Sequence, residues 1–293
     1  QVSQELGLEN VGQALPGVGA AGALDGGDTY MLGECELEGL LTKEGEKDEF
    51  TFMTGLTASA LPVASPAAAG LLGVYFFNAF EGGVEFTWGR QLTVEDTVNP
   101  VPPSVTFYGT EKSAESIIEG MTRVPITPLV GTYLPIVTIQ INGVSLPALL
   151  DTGSPITVLN QEAAKLAGVK TVRDKEEKSG NNPFAKFTQN LKTAQEVARG
   201  DVLVVAGGTG DRVELVKSME PVGVSLGNSD DVVDFGKGNL YVGDLPGLKA
   251  LENFIPDSDD ASSSSAAPPA VMLGMDVLQT RPRMLYRANE VFF

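Results

Sequence analysis

The sequence contains no histidine and a single cysteine, Cys35, among 293 residues. A Ser-His-Asp triad, a Cys-His dyad and a zinc cage built from His or Cys are therefore excluded within this chain. Any hydrolytic chemistry has to run on carboxylates. Cys35 has no partner for an internal disulfide and reads as a small buried hydrophobe. Basic residues are also scarce: 20 Lys and Arg face 38 Asp and Glu, a net charge of -18 at pH 7. Such a surface repels phosphate backbones and offers no basic patch for counterion release, so nucleic acid is not an expected partner. Charge is missing altogether from Thr51 to Phe80, but Pro62, Pro66, Gly55, Gly70 and Gly73 interrupt the run. A membrane-spanning helix, which needs about 20 apolar residues, is not expected there. The first thirty residues lack the basic, apolar, small-residue order of a signal peptide, so any targeting segment is expected to have been removed already.

What is present favours a mainly β chain of two modest domains. The 34 Gly and 18 Pro suit many turns over long helices. An internal repeat organises them: Leu72-Gly73-Val74 and Leu273-Gly274-Met275 stand 201 residues apart, and the elements before them run in the same order. In the first half a Gly-rich turn at Gly17-Val18-Gly19-Ala20-Ala21-Gly22 precedes strand-like runs at Tyr30–Leu41 and Phe50–Leu56. In the second, Ala206-Gly207-Gly208-Thr209-Gly210 precedes Val213–Leu226 and Asn239–Leu245. The prolines of 91–128 suit an extended connector. The expected organisation is a first lobe over 1–110, a Pro-rich connector over 111–128 and a second lobe over 129–293. A pseudo-two-fold axis is expected to relate the lobes.

The second lobe opens on alternating apolar residues at Ile136–Ile141, an Asn142-Gly143 hairpin turn and an apolar run from Val144 to Leu150. Asp151 follows, so it is expected at the end of a buried strand. A short strand at Ile156–Leu159 and a helix at Gln161–Leu166, ended by Gly168, come next. An amphipathic helix is expected over Pro183–Ala198. The serine-rich stretch Asp257–Pro269 reads as a surface loop.

Asp151-Thr152-Gly153-Ser154 is the chemical centre of this pattern. Two carboxylates about 3 Å apart cannot both ionise, so they share one proton and can activate a water between them. Each must stand on a tight turn at a strand end. Asp supplies the carboxylate, Thr ties paired loops by hydrogen bonds, and Gly allows close backbone approach. Taken alone, Asp-Thr-Gly is also an ordinary turn sequence between strands.

Leu146 to Leu159, with Asp151-Thr152-Gly153-Ser154 at its centre, resembles the catalytic segment of the retropepsin-like aspartic proteases, in the tandem two-lobe form found in plants and algae. The likeness runs from Pro135 to about Arg287. It implies that Asp151, Thr152, Gly153 and Ser154 are catalytic. It implies further that Ala206, Gly207, Gly208, Thr209 and Gly210 form a substrate-binding flap, and that Leu273, Gly274 and Asp276 support the catalytic loop. An extended peptide would lie across Asp151 beneath the flap. No metal or other cofactor is implied. Two positions depart from the family pattern: Met275 stands where an Arg often precedes the Asp or Asn, and Tyr75 stands in lobe one where lobe two has Asp276. Both departures bear on the support of the catalytic loops.

Gly17 to Gly22 also fits a dinucleotide fingerprint, with Glu36 or Glu38 downstream. The fingerprint needs a helix to follow, whereas Leu24 leads into Asp25-Gly26-Gly27-Asp28 and a strand-like run, so a flap-like turn is the better reading.

Lobe one contains no Asp-Thr-Gly. Val2–Leu8 resembles the helix after a catalytic loop, which places the first strands and catalytic loop of that lobe upstream of Gln1. Three expectations follow. The chain is a two-lobe endopeptidase whose other carboxylate precedes Gln1, a one-Asp lobe that acts by pairing with a second copy, or a silent scaffold with protein partners in a larger assembly. The family likeness alone suggests a plastid location.

Overall fold

In the computed structural model the described residues are 2–13, 17–19, 22–24, 27–37, 52–60, 70–89, 102–129, 132, 134–175, 193–206, 212–227, 231–254 and 268–293. Gly207, Gly208, Thr209 and Gly210 of the expected flap lie outside them, as do Ala20 and Ala21, residues 183–192 of the expected amphipathic helix, and the serine run. The chain divides into two compact units, one within Gln1–Leu71 and one comprising Leu72–Ala206 and Arg212–Phe293.

The second unit is organised around a long mixed sheet. Pro135–Ile141 and Val144–Leu150 form its central hairpin, with Ile136 paired to Leu149 and Ile141 to Val144. Asn142 (φ 50°) and Gly143 (φ 81°) occupy the turn. Both central residues lie in the left-handed region, where a two-residue turn matches the twist of its flanking strands. Ile136, Ile139, Ile141, Leu146, Ala148 and Leu150 are buried. The short strand Val271–Leu273 runs parallel to Val144–Leu150 on one side and antiparallel to Val158–Leu159 on the other. Val271 and Leu273 are fully buried. Each such apolar side chain is worth about 1.5–3 kcal/mol when taken from water.

From this centre the sheet extends through Val158–Leu159, Tyr241–Val242 and Arg212–Lys217 to Val202–Ala206 on one side. On the other it passes through Pro135–Ile141 and Val222–Leu226 to Val233–Gly238. The helix Gln161–Leu166 is capped by the Asn160 side chain, which accepts from Ala163 N at 2.9 Å. It ends ahead of Gly168 (φ 64°).

A second sheet in the same unit joins residues far apart in sequence, in the order Arg123–Pro125, Glu290–Phe292, Arg283–Arg287, Gly83–Thr87, Ser104–Tyr108. Its register is symmetric. Val84 pairs with Tyr286 and Glu85 with Leu285. Moving each residue by the 201-residue spacing of the repeat turns one pair into the other, as a local two-fold axis between the pairs requires. Each of these two strands follows a four-residue helix opened by a glycine: Val74–Phe77 after Gly73, and Met275–Leu278 after Gly274. Within the stretch read as an extended connector, Glu111–Ile118 is instead a helix. Thr110 and Ser113 form a capping box at its start, and Ala114 is buried against Leu285 and Phe292. Arg123–Pro125 pairs with Phe292–Glu290. Pro102 and Pro103 stand just ahead of the Ser104–Tyr108 strand, and Pro125 and Pro128 end their strands, where they disturb no ladder.

In the first unit, Glu9–Gln13, Asp28–Met31 and Thr57–Ser59 form a three-stranded antiparallel sheet. Gly17–Gly19 pairs with Gly22–Leu24, and Cys35–Glu36 with Phe52–Met53. A strand follows Gly22, so the Gly17–Gly22 segment is a hairpin and no helix N-terminus is there for a pyrophosphate. Cys35 is only partly buried, because its two-residue strand has a single neighbour. Among the described residues no helix is long and apolar enough to cross a membrane.

Candidate active site

Asp151 stands where the Val144–Leu150 strand ends, and its N–H donates to Leu273 O at 3.0 Å as the last bond of the parallel ladder. The chain then turns. Ser154 N donates to Asp151 O at 3.2 Å, and Gly153 N donates to Asp151 Oδ1 at 2.9 Å. A Cβ on Gly153 would sit 3.1 Å from that same oxygen, tighter than ordinary packing allows. Ser154 Oγ donates to Ile156 O at 2.8 Å, which closes the turn. The strand Val158–Leu159 leaves antiparallel to Val271–Leu273, so that strand is threaded between the two limbs of the aspartate loop.

Behind the loop lies a compact hydrogen-bonded block. Thr157 is fully buried. Its N–H donates to Asp276 Oδ2 at 3.0 Å and its hydroxyl to Asp276 Oδ1 at 2.6 Å. The same hydroxyl accepts from Gly274 N at 3.0 Å. Val277 N donates to Asp276 Oδ1 at 2.9 Å, and Met275 N donates to Ser154 O at 2.9 Å. A Cβ on Gly274 would meet Ile156 O at 2.3 Å, so only glycine lets the two segments approach this closely. Leu273, Gly274 and Asp276 are thus brought directly behind Asp151. Met275 does not weaken this support, because its contribution is a backbone N–H that any residue but proline supplies. Thr157, which sequence reading treats only as part of a strand, is the hub of the block. Its signal was its place three residues after Ser154, but its partner Asp276 is 119 residues away.

The strands on either side of the expected flap are Val202–Ala206 and Arg212–Lys217, paired from Val202↔Val216 to Ala206↔Arg212. Of the predicted flap residues only Ala206 is described, as the last of its strand. Arg173 braces this hairpin: it donates to Glu196 Oε2 at 2.8 Å and to Glu214 Oε2 at 2.7 Å. Glu196 lies on the helix 193–199, the described end of the amphipathic helix expected over Pro183–Ala198.

Chemically, one oxygen of Asp151 is held by Gly153 N and the other has no partner among the described residues. The Thr152 hydroxyl likewise makes no hydrogen bond among them. A single carboxylate in this position can accept a proton from water. Among the described residues no second acid is hydrogen-bonded to it, and such an acid is what polarising a carbonyl at the same time would need. Among the described residues no three metal-ligating side chains converge. Tyr75, aligned with Asp276, sits on the helix after Gly73 and is largely exposed.

Residues 137–207 match the aspartyl protease family. Among solved structures, a retropepsin-like aspartic protease from Rickettsia conorii is 14% identical, with 58% of this chain and 98% of that chain covered and a TM-score of 0.31. The retroviral protease-like domain of Ddi1 from Leishmania major is 16% identical, with 55% and 94% covered and a TM-score of 0.26. With TM-scores below 0.5 these two likenesses carry no argument, and the similarity to aspartyl proteases is that of residues 137–207. No curated protein matches the sequence.

Proposed function

We propose that this chain, whose residues 137–207 match the aspartyl protease family, supplies one half of an aspartic endopeptidase site. Asp151 is one member of a proton-sharing carboxylate pair, and its partner is supplied from outside residues 1–293. The observation that carries this reading is the Asp151 loop itself, closed by Gly153 and Ser154 and locked from behind through Thr157, Gly274 and Asp276. Such a loop holds a carboxylate on a rigid strand end with one oxygen free, as a water-activating group must be held. An extended peptide is the substrate that suits a strand-edged site under the Val202–Lys217 hairpin.

A second reading, a catalytically silent scaffold in a larger, plastid assembly, is favoured by one observation. Residues 1–128 contain no Asp-Thr-Gly, and Tyr75 occupies the place of Asp276. Peptide cleavage separates the two. Residues 1–293 as a monomer are expected to cleave poorly or not at all. A chain that also carries the partner carboxylate is expected to cleave best at acid pH, with two apparent pKa values belonging to the pair. Asp151→Asn should abolish that activity. Cleavage by the 1–293 monomer that survives Asp151→Asn would show that the chemistry lies elsewhere, and inactivity of the completed protein would favour the scaffold.

A further inference from the structure

Asn142 does more than turn the central hairpin. Its N–H donates to Gly223 O at 3.0 Å, and its side-chain amide makes two further bonds. Oδ1 accepts from Gly223 N at 3.2 Å, and Nδ2 donates to Ala167 O at 3.1 Å. Gly223 lies on the strand Val222–Leu226, which pairs with Pro135–Ile141, and Ala167 is the C-cap of the helix Gln161–Leu166. One side chain thus clasps the hairpin turn both to the neighbouring strand and to the end of the helix that follows the Asp151 loop.

Asn142 is also the only asparagine in the sequence that glycine follows. In such a pair the glycine nitrogen can attack the side-chain carbonyl, because no Cβ shields it. A bond forms between Gly143 N and Asn142 Cγ, the Cγ–Nδ2 bond breaks, and Nδ2 leaves as ammonia with the proton that Gly143 N gives up. Water then opens the five-membered succinimide at either carbonyl carbon, which leaves aspartate or a β-linked isoaspartate in place of Asn142. The sum is one water taken up and one ammonia released. The surroundings of Gly143 permit the attack. Nothing lies within 4 Å of a Cβ placed on it, and both residues border a surface groove that Gln140, Ser225 and Asp234 also line. The clasp opposes it, because Cγ closes on Gly143 N only by turning a side chain that Gly223 and Ala167 hold.

We infer that Asn142 is a self-modification site of this chain, kept as an amide by its clasp and converted to aspartate or isoaspartate when the clasp opens and Gly143 N attacks. Conversion is one-way, because the ammonia is lost. The aspartate product keeps the turn, which Asp-Gly also suits, but it has no N–H for Ala167 O and sets a carboxylate oxygen against that carbonyl. The isoaspartate product runs the main chain through Cβ and lengthens it by a methylene. A two-residue turn cannot absorb that length, so the Ile141↔Val144 pairing is lost. The strand that starts at Val144 is the one that ends at Asp151. Modification at the turn therefore loosens the frame of the aspartate loop from the far end of its strand.

Peptide mass spectrometry tests this without reference to activity. The folded chain and the chain unfolded in guanidinium chloride are held side by side at the same mildly alkaline pH. The peptide containing Asn142 is expected to show the mass gain of an amide-to-acid change in both. In the folded chain it should appear on the order of tenfold or more slowly, since the side-chain hydrogen bonds must open first. Hydrogen exchange at the Gly223 amide reads the clasp directly, and low denaturant should speed exchange and conversion in parallel. Asn142→Asp reproduces one product and should lower the midpoint of urea unfolding. Equal rates in the folded and unfolded chains, no conversion at Asn142 in the unfolded chain, or a folded-state rate that does not follow Gly223 exchange would each overturn the inference. An Asn142→Asp midpoint at or above that of the unaltered chain would overturn the part given to the Ala167 bond.

Discussion

Asp276 and Thr157 show how a single pair can hold the Asp151 loop. Thr157 is buried with its N–H and hydroxyl both directed to the Asp276 carboxylate, and its oxygen also receives Gly274 N. Asp276→Ala would leave a buried N–H without an acceptor, which costs about 1–3 kcal/mol. The expected result is a loss of about 2–3 kcal/mol in urea unfolding. Asp276→Asn keeps one acceptor oxygen and should lose about 1 kcal/mol. Equal losses for the two variants would show that the carboxylate, rather than an acceptor at that point, is what the loop needs. Asp151, Thr152, Gly153 and Ser154 were legible as a site because a turn and its carboxylate are encoded by adjacent residues. Thr157 was not, because its meaning comes from an acceptor far away in the chain.

Among elements, the Val202–Ala206 and Arg212–Lys217 strands are braced by an ion pair. Arg173 ties the Arg212–Lys217 strand and the helix 193–199 together through Glu214 and Glu196. The Glu196 side chain is 7% exposed and that of Arg173 32%. Removing Arg173 therefore strands a buried carboxylate, while the exposed arm to Glu214 contributes little. Arg173→Ala is expected to cost about 2–3 kcal/mol, less than the 3–5 kcal/mol of a fully buried pair, because the guanidinium is partly solvated. Arg173→Met with Glu196→Met should recover most of the loss, as read by urea unfolding. A double variant no more stable than Arg173→Ala would show that the pair carries more than its own desolvation. The glycines made a turn readable, but Val202–Ala206 went unread as a strand, and the run expected from Val213 to Leu226 is two strands, Arg212–Lys217 and Val222–Leu226. The helix Glu111–Ile118 also went unread, because the prolines around it drew the reading towards an extended chain and its reason for folding, Ala114 against Leu285 and Phe292, is tertiary.

The second unit as a whole is closed by the sheet that brings Gly83–Thr87 against Arg283–Arg287. Aromatic rings fill this region. Phe77 packs edge-on against Phe86 and Tyr286, and Phe80 lies against Phe107. Burial pushes the Tyr286 phenol up to about 12, and Tyr108 is raised by burial and by its hydrogen bond to Glu85. A phenol whose folded pKa exceeds the unfolded value of 10.0 holds its proton more tightly when folded. The resulting stability is complete below about pH 10 and is lost as pH rises through the folded value. Thermal unfolding between pH 8 and 12 should therefore show a steep fall above pH 10. Tyr286→Phe keeps the ring contacts and should make that fall shallower; an unchanged slope would mean that Tyr286 does not titrate with unfolding.

The sequence alone determined the class of chemistry and the local frame. Without histidine, and with one cysteine, no His-dependent triad or Cys-His dyad can form, and the Asp151 turn is the chemical feature that the sequence presents. Period-two apolar runs around Asn142-Gly143 specify a hairpin that delivers Asp151 to a strand end, because side-chain alternation and turn geometry act over neighbouring residues. The tertiary structure alone decided which distant segments support that aspartate. Val271–Leu273 is too short to declare itself as a central strand, and it becomes one only because strands on both sides bury it. The Asp276–Thr157 bonds, the Arg173 brace and the pairing of Gly83–Thr87 with Arg283–Arg287 arise in the same way. Each joins residues whose local sequences carry no record of one another, and each forms because burying polar backbone and apolar faces requires partners that only the folded chain brings within reach.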